Sequence, residues 1–242
     1  MTSILEICAY SIADCIEAEC GGAGRVELCS SMPEGGITPS YGTIITVRKH
    51  TNITMNVMIR PRGGNFVYTE HEIRIMLEDI SMSKRCGADG LVFGCLTADG
   101  EVDVNACRRL LDKANPLPVT FHRAFDRCRH PEQALEEIIK LGFSRLLTSG
   151  QQPTAEEGIS LLQQMVVQSA KRILIMPGSG ITPDNIAEIA AKTGANEFHT
   201  SAQAVRGKGT DAGTVAKCVE KIKNIYTVAG VSETQIKHLS AN

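Results

Sequence analysis

Residues 3–29 read SILEICAYSIADCIEAECGGAGRVELC. Two short apolar runs, 3–8 and 25–29, enclose an acid- and alanine-rich stretch with helical spacing over 11–20. The segment therefore reads as strand, helix, strand. The two runs echo one another: each places a glutamate two residues before a cysteine, Glu6 with Cys8 and Glu27 with Cys29.

The unit recurs along the chain. Further apolar or β-branched runs fall at 54–60, 90–95, 118–122, 144–148, 172–176 and 196–200. Helix-like stretches lie at 40–50, 69–86, 103–113, 131–141, 154–170, 183–193 and 213–226. Ser40 is placed to cap one of them, Thr69 with Glu72 three residues later another, and Thr182 before Pro183 a third. Gly142 and Gly194 supply helix stops. Eight strands alternating with eight helices predict an α/β fold, a single (β/α)8 TIM barrel over residues 1–242. A doubly wound open sheet would want a glycine-rich turn after its first strand; ICAYSIAD is not one, and no nucleotide cofactor is expected. The polar stretch over about 228–242 reads as a loose C-terminal tail.

Composition narrows the function. The 242 residues are 43% hydrophobic and 21% charged, with a formal charge of −2. Nothing here favours nucleic acid or an anionic membrane. No run approaches the roughly 20 apolar residues of a membrane span, and the N-terminus lacks the pattern of a signal peptide. The nine cysteines lack the spacing of a disulfide framework or a structural zinc site. They are expected to be reduced thiols in the cytoplasm.

Side-chain parity gives the chemistry. In a barrel strand, alternate residues face the helices or the barrel axis. Leu5 and Ile7 oppose Glu6 and Cys8; Val26 and Leu28 oppose Glu27 and Cys29; Val57 and Ile59 oppose Asn56, Met58 and Arg60; Val119 and Phe121 oppose Thr120 and His122; Phe198 opposes Glu197 and His199. The polar set should point inward. One reading is a structural ion-pair network; the other is a functional site, because active sites of this fold lie at the C-terminal mouth. Catalytic candidates on the second reading are Glu6, Glu27, His122 and His199. Cys8 and Cys29 would end adjacent parallel strands about 4.8 Å apart, close enough to converge on one soft metal ion such as Cu(I). The bland alternative is that both pack as small hydrophobes. Cys15, Cys20, Cys86, Cys107 and Cys218 fall on helix-like stretches and read as packing, whereas Cys95 and Cys128 follow strands four and five.

Two loops are suited to an anion. IRPRGGNF, 59–66, carries Arg60 and Arg62, whose guanidinium forks match a carboxylate or phosphate. PGSGIT, 177–182, brings Gly178 and Gly180 between strand seven and a helix, where barrels often bind phosphate. TFHRAFD, 120–126, sets His122 either as an acid or base or as a tie between loops.

Eight motifs together resemble the CutC family: LEIC (5–8), GGAGRVELCSSMPEGGITPSYG (21–42), VMIRPRGGNFVYTE (57–70), GADGLVFGCLTADG (87–100), VTFHRAFD (119–126), LGFSRLLTSG (141–150), PGSGIT (177–182) and EFHTSA (197–202). The resemblance implies a cytoplasmic (β/α)8 barrel of the copper homeostasis class, often oligomeric, here a dimer or tetramer. It implies Cu(I) as ligand, on thiols at the positions of Cys8 and Cys29, and no known catalytic activity. The chain departs from the pattern at Ala23–Gly24–Arg25, where members usually carry ADR, and in a shorter segment after EFHTSAQAV. The usual longer loop would roof the mouth, so the pocket here need not be closed. The alternative is a lyase, aldolase or isomerase acting on a small anionic or phosphorylated substrate.

Overall fold

The computed structural model describes residues 3–205 and 207–239, those over 226–239 by backbone alone. Eight parallel strands alternate with eight helices. The strands are β1 (Ile4–Ala9), β2 (Arg25–Leu28), β3 (Thr54–Met58), β4 (Gly90–Phe93), β5 (Val119–Phe121), β6 (Arg145–Thr148), β7 (Leu174–Pro177) and β8 (Glu197–Thr200). The helices are α1 (Ile12–Cys20), α2 (Tyr41–His50), α3 (Glu70–Arg85), α4 (Val104–Ala114), α5 (Pro131–Leu141), α6 (Ile159–Ser169), α7 (Ile186–Thr193) and α8 (Ala212–Leu239). The sheet runs β7-β6-β5-β4-β3-β2-β1-β8. A parallel bridge from Gly178 to His199 brings β7 to β8 and closes the ring. The fold is the α/β TIM barrel that the alternation predicts. The stretch read as a loose tail falls on the end of α8, whose side chains are outside the described residues, and on 240–242, which are outside them altogether.

Local signals explain most helix limits. The Ser40 side chain accepts from Thr43 N at the start of α2. Thr69 and Glu72 form a reciprocal capping box on α3. Gly142 and Gly194 end α5 and α7 in the left-handed region. Two starts come later than their sequence signals indicate. Thr154 caps an isolated turn, accepting from Glu157 N, and α6 begins only at Ile159. Asn185 accepts from Thr182 N, so Pro183 sits in a turn and α7 begins at Ile186.

The apolar face of each strand packs on the helix ring. Leu5, Ile7, Val26, Leu28, Val57, Ile59, Phe121 and Phe198 are all buried in one core. The inner face is layered, alternate strands contributing to alternate layers. Arg25, Gly90, Arg145 and Glu197 come from the even strands at the N-terminal end. Above them stand Glu6, Asn56, Thr120 and Met176 from the odd strands. Next come Glu27, Val92, Leu147 and His199, and at the mouth Cys8, Met58, His122 and Gly178. Gly90 is required here: a Cβ would collide with Asn56 Oδ1.

The two lower layers form a charged floor. Arg25 donates Nε to Glu6 and Nη2 to Glu197 at 2.6 Å, and Arg145 Nε reaches Glu197 at 2.5 Å. Asn56 Nδ2 donates to Glu6 Oε2 at 3.1 Å. These buried charges compensate one another, which buried charge requires. Glu6 and Glu197 therefore belong to a structural network anchored by Arg25 and Arg145. Glu27 lies in the layer above this floor, and Arg60 follows β3 at the mouth.

Candidate functional site

Above the floor, β1, β2 and β8 bring a thiol, a carboxylate and an imidazole together. Cys8 Sγ, a Glu27 oxygen and a His199 ring nitrogen lie within 4.8 Å of one another. His199 Nε2 stands 3.0 Å from Glu27 Oε2 and 3.8 Å from Glu6 Oε1. Burial works against charge on His199, but the Glu27 carboxylate and a hydrogen bond with Cys8 outweigh it and hold the imidazole well above its ordinary value. Burial likewise opposes the Glu27 carboxylate, yet the His199 charge brings it below the usual range. The neighbouring Cys29 thiol holds the Cys8 thiol below its ordinary value, with His199 acting in the same direction. The proximity of Cys8, with burial, pushes Cys29 up.

Cys29 is buried, and its thiol also donates to Glu27 Oε2 at 3.6 Å. It packs with Met58, Val92, Cys8 and Tyr10. Gly36 lies against it in the left-handed region, where a Cβ would stand 3.1 Å from the sulfur. Tyr10 follows Cys8 on the same parity. Burial and the neighbouring thiols push its phenol far above the ordinary value.

The opposite wall comes from β3, β5 and their loops. His122 is not in a strand: it caps the short helix Arg123–Arg127, its Nδ1 accepting from Ala124 N at 3.3 Å. The proton of the neutral ring therefore sits on Nε2, which is buried and has no partner among the described residues. Burial and the Arg60 charge push His122 down to about 4. Arg60 lies just beyond β3. It donates Nη1 to Glu34 O and Gly36 O and Nη2 to Gly64 O, at 2.7, 3.0 and 2.9 Å. Its guanidinium stacks 4.8 Å from the centre of the Phe66 ring, and the His122 ring lies 4.8 Å from the same centre.

A cavity of about 760 Å³ opens between these walls. Cys8, Glu27, Arg60, His122 and His199 line it, with Gly180 and Thr182 after β7 and Ser201 to Ala204 after β8. The short loop after β8 forms one side of the mouth. Thr210 ties it down, its N–H donating to Asp14 Oδ1 and its hydroxyl to Ser201 O.

Other sequence candidates lie elsewhere. Arg62 does not line the cavity; Glu72 and the carbonyls of Gly63, Asn65 and Val67 engage it, fastening the loop to α3. Gly178 serves packing, since a Cβ there would stand 2.5 Å from Leu147 and 3.3 Å from His199 Cβ. Asp126 accepts from Thr148, Ser149, Gln151 and Arg123 and ties loop five to loop six. Cys95 and Cys128 are buried in the outer core away from the mouth. Cys15, Cys86, Cys107 and Cys218 pack inside, whereas Cys20 is exposed. Sequence reasoning passed over Arg25, Tyr10 and Phe66. Parity points to the first two, because Arg25 shares the face of Glu27 and Tyr10 that of Cys8.

A sequence model of the CutC family matches residues 3–204. A family protein CutC from Parabacteroides distasonis is 56% identical over 206 residues, covering 85% of each chain. The copper homeostasis protein cutC homolog of Mus musculus is 45% identical over 240 residues, 98% of this chain and 88% of that one. The crystal structure of the putative copper homeostasis protein CutC from Streptococcus agalactiae superposes with a TM-score of 0.79 at 36% identity, covering 82% of this chain and 98% of that one.

Proposed function

The chain belongs to the CutC family, and from that premise we propose that it is a cytoplasmic copper-homeostasis protein that takes up Cu(I) on the Cys8 and Cys29 thiolates. The observation that carries this reading is the packing of Cys8 against Cys29 on the inward face of adjacent strands, with His199 beside Cys8. Two sulfurs suit a soft monovalent ion, and an imidazole nitrogen offers a third compatible donor. Glu27 is a harder ligand. Its part is to carry the proton-rich imidazole while the site is empty of metal and to balance charge on loading. Copper here is cargo.

The test is an anaerobic Cu(I) titration against a high-affinity chromogenic chelator. One equivalent should bind tightly to the wild-type chain and be lost in Cys8→Ser/Cys29→Ser. Binding that survives the double substitution would overturn the assignment and leave the thiols as packing.

A further inference from the structure

Copper accounts for one wall of the mouth only. A cavity of about 760 Å³ is far larger than a metal ion and falls within the range of small-molecule sites. Its other wall holds a buried cation, Arg60, that makes no salt bridge among the described residues. Arg60 is 5% exposed, and among the described residues its hydrogen bonds go to three carbonyls and to no carboxylate. Arg25, equally buried, has two carboxylates. Cys8 and Glu27 supply anionic character across the cavity, but His199 already faces both. Arg60 Nε is left without a partner.

His122 repeats the pattern. It is 4% exposed, Ala124 occupies its Nδ1, and Nε2 is unpaired. Both groups pack on Phe66 and both belong to the cavity wall. An unpaired buried donor is costly, more so on a charged group. Two such N–H groups on one aromatic plate match an acceptor bearing negative charge. The far rim adds the hydroxyls of Thr182 and Ser201 and the exposed amine of Lys217, a polar setting for the rest of a ligand.

We propose that the barrel mouth binds a small organic anion, its carboxylate or phosphate held by the Arg60 and His122 side chains that line the cavity beside Phe66. This site is separate from the copper thiols and does not rest on them.

The experiment is a calorimetric titration of the full chain, and of Cys8→Ser/Cys29→Ser, with inorganic phosphate and with pyruvate, against chloride at matched ionic strength. Saturable one-to-one binding is expected in both proteins, and the stronger probe identifies phosphate or carboxylate. His122→Phe keeps a ring on Phe66 and removes the donor, so affinity should fall by about tenfold to a hundredfold. In wild type the 15N shift of His122 Nε2 should move on titration, a readout that needs no variant. Absence of saturable binding by either probe, an unmoved Nε2 signal, or binding unchanged in a folded His122→Phe chain would overturn the proposal.

Discussion

His199 Nε2 and Glu27 Oε2 stand 3.0 Å apart across the inside of the barrel, both buried, one from β8 and one from β2. The strand between them, β1, puts Cys8 against the same imidazole. Three consecutive strands thus hold an acid, a base and a thiol within 4.8 Å of one another. The order of charges matters: the imidazole lies beside two groups that become anions, and it steadies both.

One consequence concerns thiol reactivity. Cys8 lines the cavity, and the neighbouring Cys29 and His199 hold it below an ordinary thiol. Replacing His199 by Gln removes one source of that stabilisation. Alkylation of Cys8 by iodoacetamide at neutral pH should slow by about tenfold for each pKa unit regained. The exposed Cys20 should react at an unchanged rate and serves as internal reference. Peptide mass spectrometry reads both sites in one sample. Equal Cys8 rates in the two proteins would show that His199 does not act on the thiol.

The charged floor makes a prediction about stability. Arg25→Met strands the carboxylates of Glu6 and Glu197, leaving Glu197 only Arg145. Breaking a buried network on one side costs about 3–5 kcal/mol. Urea unfolding should show a loss of that order. The double substitution Arg25→Met/Glu6→Gln should recover part of it, since one stranded charge is gone. A loss under about 1 kcal/mol for the single change would place these ions in contact with water.

His122 sets a pH dependence with a definite sign. Its folded value is depressed from 6.5 to about 4 by burial and by Arg60. In that interval the unfolded chain takes up a proton that the folded chain excludes. The stabilising contribution is therefore complete above pH 6.5 and is lost as pH falls toward 4. At full development it amounts to about 3 kcal/mol. His122→Phe should flatten the stability profile between these limits. A wild-type slope retained in the variant would assign the titration to another group.

Much of this structure is legible in the sequence because periodicity and caps speak locally. Thr69 with Glu72 and the stops at Gly142 and Gly194 need no partner outside their own helix ends. The same kind of signal misleads at Thr182, whose side chain accepts from Asp184 N in a free-standing turn, and the helix-like stretch from 154 opens on such a turn at Thr154. Within the site, period two places Cys8, Glu27, His122 and His199 inward. What it does not tell is depth along the barrel axis, which depends on stagger between strands. Glu6 and Glu27 look alike in LEIC and VELC, yet one lies in the floor and the other in the layer above it. Arg60 and Arg62 look alike too. Only the packed loop shows that Glu72 of α3 claims Arg62 and that Phe66 folds back beneath Arg60.

The joint between Gly178 and His199 gives the ring a seam. Every other neighbouring pair of strands is laced by a ladder of paired residues, whereas among the described residues β7 and β8 meet at this one bridge. His199 is thus a clasp as well as a site residue. The one break in the ladder thus falls where the thiols, the imidazole and the cavity adjoin, and a substitution at His199 removes a side chain at the seam as well as one from the cavity wall.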